Sequence, residues 1–412
     1  MGSRFGLLNN RPRLLDGSLF GGSLFVGSLF GGQRANNGGN FIQGGRFFPG
    51  AYNAINSRLW LRGDWLYWDT KGMDTPVLVT TSPNGTPQAT AGVLGEPGTS
   101  NVFGGRNLNG NTMGGFRVSG GFWITPQQNF AIEAEYIRLN EQNTDFRGNS
   151  DGSVILGRPF FDIVGGQETA QLVSYPDLVS GSISADVDTN FRSYLINGRA
   201  ALCPGNGCNS CGLPDRVDWI IGYRRVELDD SVTVNESLTS LVPTAPGTIN
   251  LTDRFQTENE FNGLQLGVVH RTNLQRVWLE SMLRVALGNN QQTVRINGAQ
   301  SITEAGFTED FNSGLLALST NAGTHRRDAF SMIPEVGVRL GARMTDRLSA
   351  SVGYTVIYFP NVVRAGDQIE LDVNTGRVEP DGNNLGPDRP RFQFVESDYW
   401  AHGLTVGGEL NF

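Results

Sequence analysis

The chain has 412 residues, 32 Lys and Arg against 40 Asp and Glu, a formal net charge of -8 and 55 glycines. No stretch reaches about 18 consecutive apolar residues, which excludes a transmembrane helix, and an acidic chain without a basic run argues against nucleic-acid binding. Frequent Asn-Gly and Gly-Gly breaks, with no alternation of helical and strand patterns, exclude an ordinary α/β enzyme and favour an all-β chain with long loops.

Residues 1–57 differ in kind from the rest. Gly-Ser-Leu-Phe recurs at positions 17, 22 and 27, and Asn/Gly/Gln-rich sequence follows. A period of five cannot keep Leu and Phe on one face of a strand, so the segment is either a flexible linker or a sticky segment that docks on a partner. The first residues lack the apolar core of a signal peptide, which an exported protein needs, so we expect that the signal was removed or that this start is not the native one.

From Arg58 onward, segments alternate in hydrophobicity with a period of two. In the first, Leu59, Leu61 and Trp65 share one face, whereas Arg62 and Asp64 share the other. The ten predicted strands are 58–68, 112–124, 130–136, 190–202, 215–227, 259–270, 276–288, 328–343, 348–360 and 398–412.

The connections between these segments alternate in length. The short ones are 125–129, 203–214, 271–275 and 344–347, and the long ones are about 69–111, 141–189, 230–258, 289–327 and 361–397. This alternation is typical of outer-membrane barrels, which have tight periplasmic turns and long outer loops. We therefore predict an all-β, antiparallel up-and-down transmembrane barrel over 58–412, with about ten strands (8–12, because 293–296 is also strand-like).

Aromatic residues fall near the predicted strand ends, where two interfacial girdles of a barrel are expected. The predicted girdle consists of Trp65, Tyr67, Tyr136, Tyr194, Trp219, Tyr223, Tyr358, Trp400 and Phe412. Three arginines, Arg138, Arg192 and Arg225, face outward by parity, but all lie near outer ends, where polar headgroups could accept them.

Several motifs match a known family. They include Trp65-Leu-Tyr-Trp, Arg158-Pro-Phe-Phe-Asp, Gly222-Tyr-Arg-Arg-Val-Glu-Leu, Asn361-Val-Val-Arg-Ala-Gly-Asp-Gln and Ser397-Asp-Tyr-Trp-Ala-His-Gly-Leu. With these motifs in order from about 58 to 412, the chain resembles the seventh family of β-barrel porins of bacterial outer membranes. The resemblance implies a barrel in the outer membrane and little about the substrate. We accordingly expect contact with outer-membrane lipid and, through the C-terminal strand, with the barrel-assembly machinery.

Parity assigns equal numbers of basic and acidic side chains to the lumen. The predicted lumen-lining charges are Arg62, Asp64, Arg117, Glu133, Glu135, Arg199, Asp218, Arg224, Glu280, Arg284, Glu335, Arg339, Arg343 and Glu409. A barrel of about ten strands is little wider than one filled by its own side chains, and buried charges persist only when paired. These residues either fill the lumen as interlocked ion pairs or form an ion-selective constriction, and both can hold for the same residues.

The three cysteines, Cys203, Cys208 and Cys211, form one cluster. A zinc site needs four ligands, and no histidine lies nearby in sequence. We favour a disulfide between two of them in an oxidising periplasm, with the third a free thiol or an intermolecular link.

No motif supports an enzyme. The run from Gly105 to Thr112 mimics a phosphate loop but has Asn111 where that motif needs Lys, and it precedes a strand. A hydrolase built on His402 lacks a recognisable serine partner, and the acidic stretch 372–381 lacks ordered calcium-ligand spacing. We expect no catalytic activity, no metal and no cofactor.

Two functions remain open. One is a porin-like passive pore, in which small solutes cross a narrow mixed-charge lumen gated by the long loops. The other is a closed structural or adhesive surface barrel that assembles, with itself or with an envelope partner, through its loops and residues 1–57.

Overall fold

The computed structural model describes residues 58–202, 216–274, 276–378 and 386–412. Ten long strands form the wall of a barrel. They are β1 (Leu59–Thr70), β2 (Met113–Trp123), β3 (Phe130–Leu139), β4 (Val179–Ala201), β5 (Arg216–Ser240), β6 (Gly247–Leu274), β7 (Val277–Glu304), β8 (Gly323–Arg343), β9 (Leu348–Val363) and β10 (Glu396–Asn411).

The wall is closed. Each strand pairs antiparallel with the next one in the chain, and β10 pairs with β1, with Leu410 opposite Leu61. Closure leaves no free sheet edge where all ten strands pair, as a strand-built membrane protein requires. The predicted ten-stranded up-and-down barrel is confirmed.

Side chains separate by parity across this wall. Leu404 and Val406 of β10 are 53% and 58% exposed, whereas Leu66 of β1 and Glu335 of β8 are fully buried. Apolar side chains on the outer face and buried side chains on the inner face are the arrangement expected of a wall in lipid.

Strands β4 to β7 are much longer than the sequence pattern indicated. They run for 23, 25, 28 and 28 residues, whereas a crossing needs about 9–11. The prediction that 230–258 is a loop was therefore wrong except for 241–246, and those of 141–189 and 289–327 were wrong in part. Ser, Thr and Asn on the water-facing side of these extensions made the composition resemble a loop.

The extensions form the outer half of the molecule together with the connections that fold against them. Gln142–Ser150 pairs with β4, and Phe307–Phe311 pairs with β7. Smaller strands in the connections are Met73–Thr75, Val79–Ser82, Ser100–Phe103, Arg106–Leu108, Ile155–Asp162, Gln167–Ser174 and Asp372–Val373. In the described residues, no helix is long and apolar enough to cross a membrane.

An apolar outer core lies between the extended strands and the connections. Val232, Val234, Leu251, Phe255 and Val294 of the wall meet residues of four connections. The connections contribute chiefly Leu78, Val79, Phe103, Leu156, Phe160, Leu315, Leu316, Ala317 and Val373. The long connections are thus packed into the mouth of the barrel.

The lumen as candidate functional site

The structure places thirteen of the fourteen predicted lumen charges inside the wall. Their side chains are at most 12% exposed. Arg343 is the exception, because it is the last residue of β8 and is exposed at the end of the barrel that carries the short turns. We call this end the inner end; by register Arg343 is on the lumen side, opposite the buried Ser349, but it lies at the rim and outside the ion-pair network.

Several ion pairs cross the lumen. Arg284 of β7 reaches Glu135 of β3 at 3.0 Å, four strands away along the wall. Arg62 of β1 lies 3.4 Å from Glu280 of β7. Because these strands are not neighbours, the contacts fill the interior and do not merely line it.

Other pairs tie strands that are closer in the wall. Both guanidinium Nη atoms of Arg339 donate to Asp64 at 2.7 Å, and Arg224 donates to Glu335 at 2.7 Å. A bidentate arginine–carboxylate pair fixes geometry as well as charge. The charged layer, defined as the thirteen buried residues, is therefore a packed network.

A tryptophan of the wall, Trp278 of β7, supports the charged layer. The ring of Trp278 lies over Gly341, directly opposite on β8, where an added Cβ would lie 2.2 Å from the ring. Arg271 stacks on the same ring at 4.1 Å from its centroid. A large aromatic ring beside a glycine on the neighbouring strand is a recognisable signal, and the sequence reading missed it.

Outward of the charged layer, the interior becomes apolar. Phe191 of β4 stacks on Tyr399 of β10 at 5.3 Å, and Phe261 of β6 meets Phe359 of β9 edge-on at 6.1 Å. All ten strands contribute to this apolar layer, which comprises Leu66, Trp68, Met113, Ile137, Leu139, Phe191, Val226, Leu228, Phe261, Ala286, Ile333, Ile357, Phe359, Val362, Tyr399 and Ala401. The sequence analysis assigned charged side chains to the lumen and did not predict this apolar layer.

Two arginines anchor the connections in the outer half. Arg158, fully buried, pairs with Glu236 of β5 and lies 2.7 Å from Asp253 of β6. Arg364, which follows β9, pairs with Asp230 of β5 across the interior. Both arginines lie in motifs of the family resemblance, yet their partners fall in segments that were read as loops.

The nine predicted girdle residues all lie on the outer surface of the wall, exposed or half-buried. Phe330 of β8, 71% exposed on the same face, is a further aromatic that the prediction missed. Arg192 and Arg225 also face outward, and both pair with Glu227.

His402 belongs to this surface. Its ring stacks on Trp400 at 4.8 Å, and its Nδ1 lies 2.6 Å from the Tyr354 hydroxyl. The absence of enzymatic activity stays a prediction. Cys203, Cys208 and Cys211, with their predicted disulfide, lie outside the described residues.

A comparison with models of protein families identifies a barrel family. A family model described as "Putative beta barrel porin-7 (BBP7)" matches residues 60–412. No curated protein matches the chain.

Solved barrels show only distant likeness. The outer membrane protease OmpT from Escherichia coli is 9% identical, with a TM-score of 0.38 over 87% of this chain and 97% of that one. A Pseudomonas aeruginosa FadL homologue is 12% identical, with a TM-score of 0.23 over 87% and 91%. The toluene transporter TodX of P. putida is 11% identical, with a TM-score of 0.16 over the same shares. At these TM-scores, neither fold nor function is drawn from the likeness.

Proposed function

The chain belongs to the beta barrel porin-7 family and is a β-barrel of the bacterial outer membrane; from this premise we propose that its lumen is closed at rest and that its outer half is a structural, partner-binding surface. The apolar layer carries this proposal. An ion that crossed it would shed its water among buried aromatic and aliphatic side chains, which is the physical basis of a hydrophobic gate.

The charged layer supports the same conclusion. Arg284–Glu135 and Arg62–Glu280 bridge opposite sides of the wall, so a solute would have to displace paired charges before it met the apolar layer. Breaking a buried pair leaves a charge without compensation. Two successive barriers of different chemistry therefore oppose passage.

The outer half is built as a rigid platform. Beyond Leu228, β5 continues for twelve residues to Ser240, or roughly 40 Å of strand at about 3.3 Å per residue. Arg158 and Arg364 fix the connections against it. Such a platform suits contacts with an envelope partner or a second copy of the chain.

Passive passage of small solutes is the second candidate. It is favoured by the charged layer, which makes the inner part of the lumen polar. Opening would require the apolar layer and the outer core to part.

Planar bilayer recordings separate the two. We expect the purified full chain, shown to be folded by its heat-modifiable gel mobility, to give no discrete conductance steps. Regular steps in the unmodified protein would contradict the closed barrel and support passage.

Removal of residues 1–57 tests the assembly role. We expect the shortened chain to keep its folded gel mobility and to lose the multimers or partner complexes that the full chain forms. Unchanged assembly would restrict that role to the loops.

A further inference from the structure

Four arginines at the inner end are exposed and have no carboxylate partner. Among the described residues, Arg58, Arg276, Arg343 and Arg347 form no ion pair. Elsewhere in the barrel, interior arginines are paired with acids, as the charged layer shows. Asp346 is the one acid in the described short turns, and it is exposed and also unpaired.

These arginines lie at neighbouring strand ends around the inner rim, and we call them the arc. The backbone N–H of Arg343 donates to the carbonyl of Arg276, and the carbonyl of Arg347 accepts from Asn411. The carbonyl of Arg58 accepts from Trp123, beside the β1–β10 seam. The arc thus runs from β7 through β8 and the β8–β9 turn to β1.

Register places the arc on the lumen side of the wall. Arg343 stands opposite Ser349, which is 6% exposed and faces inward. Arg276 continues the β7–β8 register opposite Arg343, since Val277 pairs with Ala342. The outward neighbours Val277 and Leu348 face lipid, so the arginines face the aqueous mouth and not the membrane.

Like charges stand directly opposite each other at this mouth. Continuing the register of Val277 with Ala342 places Arg276 opposite Arg343, whose N–H donates to the Arg276 carbonyl, and Arg216 is opposite Arg271 on β5 and β6. Cross-strand pairs of equal charge are destabilising, and the second pair is relieved by contacts of Arg216 with Asp218 and of Arg271 with Glu280. The first pair lacks such relief.

We propose that the arc binds a soluble oxyanion, a phosphate or a carboxylate, at the periplasmic mouth of the barrel. The forked guanidinium groups of Arg276 and Arg343 would donate to its oxygens, with Arg347 and Arg58 raising the local positive potential. The site requires no open lumen, and it therefore stands apart from the question of passage.

Inorganic phosphate is the probe. The full chain in detergent micelles is titrated by calorimetry at constant ionic strength with chloride as the background anion. We expect saturable binding that weakens with added salt. The variant Arg276→Gln/Arg343→Gln is expected to bind at least tenfold more weakly.

A matched control uses Arg254→Gln/Arg326→Gln. These two arginines are exposed and unpaired, but they lie on the outward face of β6 and β8 in the outer half. We expect the control to bind phosphate as the unmodified chain does, with both variants shown to be folded by gel mobility.

Three results would overturn the proposal. One is no binding by the full chain, and another is an equal loss in both variants, which would reflect net charge alone. The third is binding that disappears when anionic lipid replaces zwitterionic lipid in nanodiscs, because the arc would then serve lipid headgroups.

Discussion

The charged layer and the apolar layer occupy the same lumen and are built from the same strands, yet they are stabilised differently. On β1, Asp64 faces the interior and pairs with Arg339. Leu66, the next interior-facing residue toward the outer end of the strand, packs in the apolar layer. A buried charge depends on one particular partner, whereas a buried leucine depends on volume filled by many neighbours. The charged layer therefore determines which strands must meet, and the apolar layer seals the space that they enclose.

The largest expected effect is in the charged layer. Asp64→Leu leaves the buried Arg339 guanidinium without a carboxylate partner and should lower the free energy of unfolding by about 3–5 kcal/mol. Urea unfolding in detergent measures it. In the double variant Asp64→Leu/Arg339→Leu, no unpaired charge remains, and most of the loss should be restored. A double variant as unstable as the single one would break the distinction between the layers.

A smaller loss of stability is expected for Leu66, two residues after Asp64 on β1. Leu66→Ala removes packing from the apolar layer and should cost about 2–4 kcal/mol in the same assay. Leu66→Met nearly conserves volume and should cost less than about 1.5 kcal/mol. If Met were as costly as Ala, shape complementarity and not volume would dominate this layer.

Ion pairs on the outer face should matter least among the charges. Arg295 of β7 pairs with Glu258 of β6 where water reaches both. Arg295→Ala should change the free energy of unfolding by less than about 1 kcal/mol. A loss comparable to that of Asp64→Leu would contradict the dependence on burial.

The smallest expected effect is a change in how the free energy of unfolding depends on pH. Burial raises the pKa of Asp367, in the turn after β9, above its ordinary 3.8, and the nearby Asp74 and Asp230 add to this. The folded state then holds this proton more tightly than the unfolded state, so stability falls as pH rises from 3.8 through the raised pKa. Asp367→Asn should remove that part of the slope when unfolding is measured between about pH 3 and 7, and an unchanged slope would contradict it.

A period of two is a local property, and the sequence therefore predicted the faces of the wall well. It assigned Leu404 outward and Arg224 inward because each lies within a few residues of its own strand pattern. The predicted strand lengths were too short where the water-facing side carries Ser, Thr and Asn, as on β5 beyond Leu228. A polar outer face above the membrane has the composition of a loop.

The apolar layer has a signal in the sequence that a simple alternation of inward and outward residues does not detect. Leu66-Tyr67-Trp68 and Ile357-Tyr358-Phe359 are apolar at both parities, so both faces of the strand are buried or in lipid there. The choice of ion-pair partners had no such signal. Arg158 meets Asp253 only because a connection folds into the mouth of the barrel, and seven arginines with seven acids allow many pairings.

The distance along the chain between paired charges bears on how the barrel assembles. Arg62 is 218 residues from Glu280, and Arg339 is 275 from Asp64. A nascent sheet that lacks its last strands would carry these groups without counter-ions and would gain nothing from partial order, since such remote contacts form late. Closure of β10 onto β1 is thus the event that brings Arg62 and Asp64 to their partners, and a chain shortened at either seam strand should fail to fold altogether, not fold into a slightly weaker barrel.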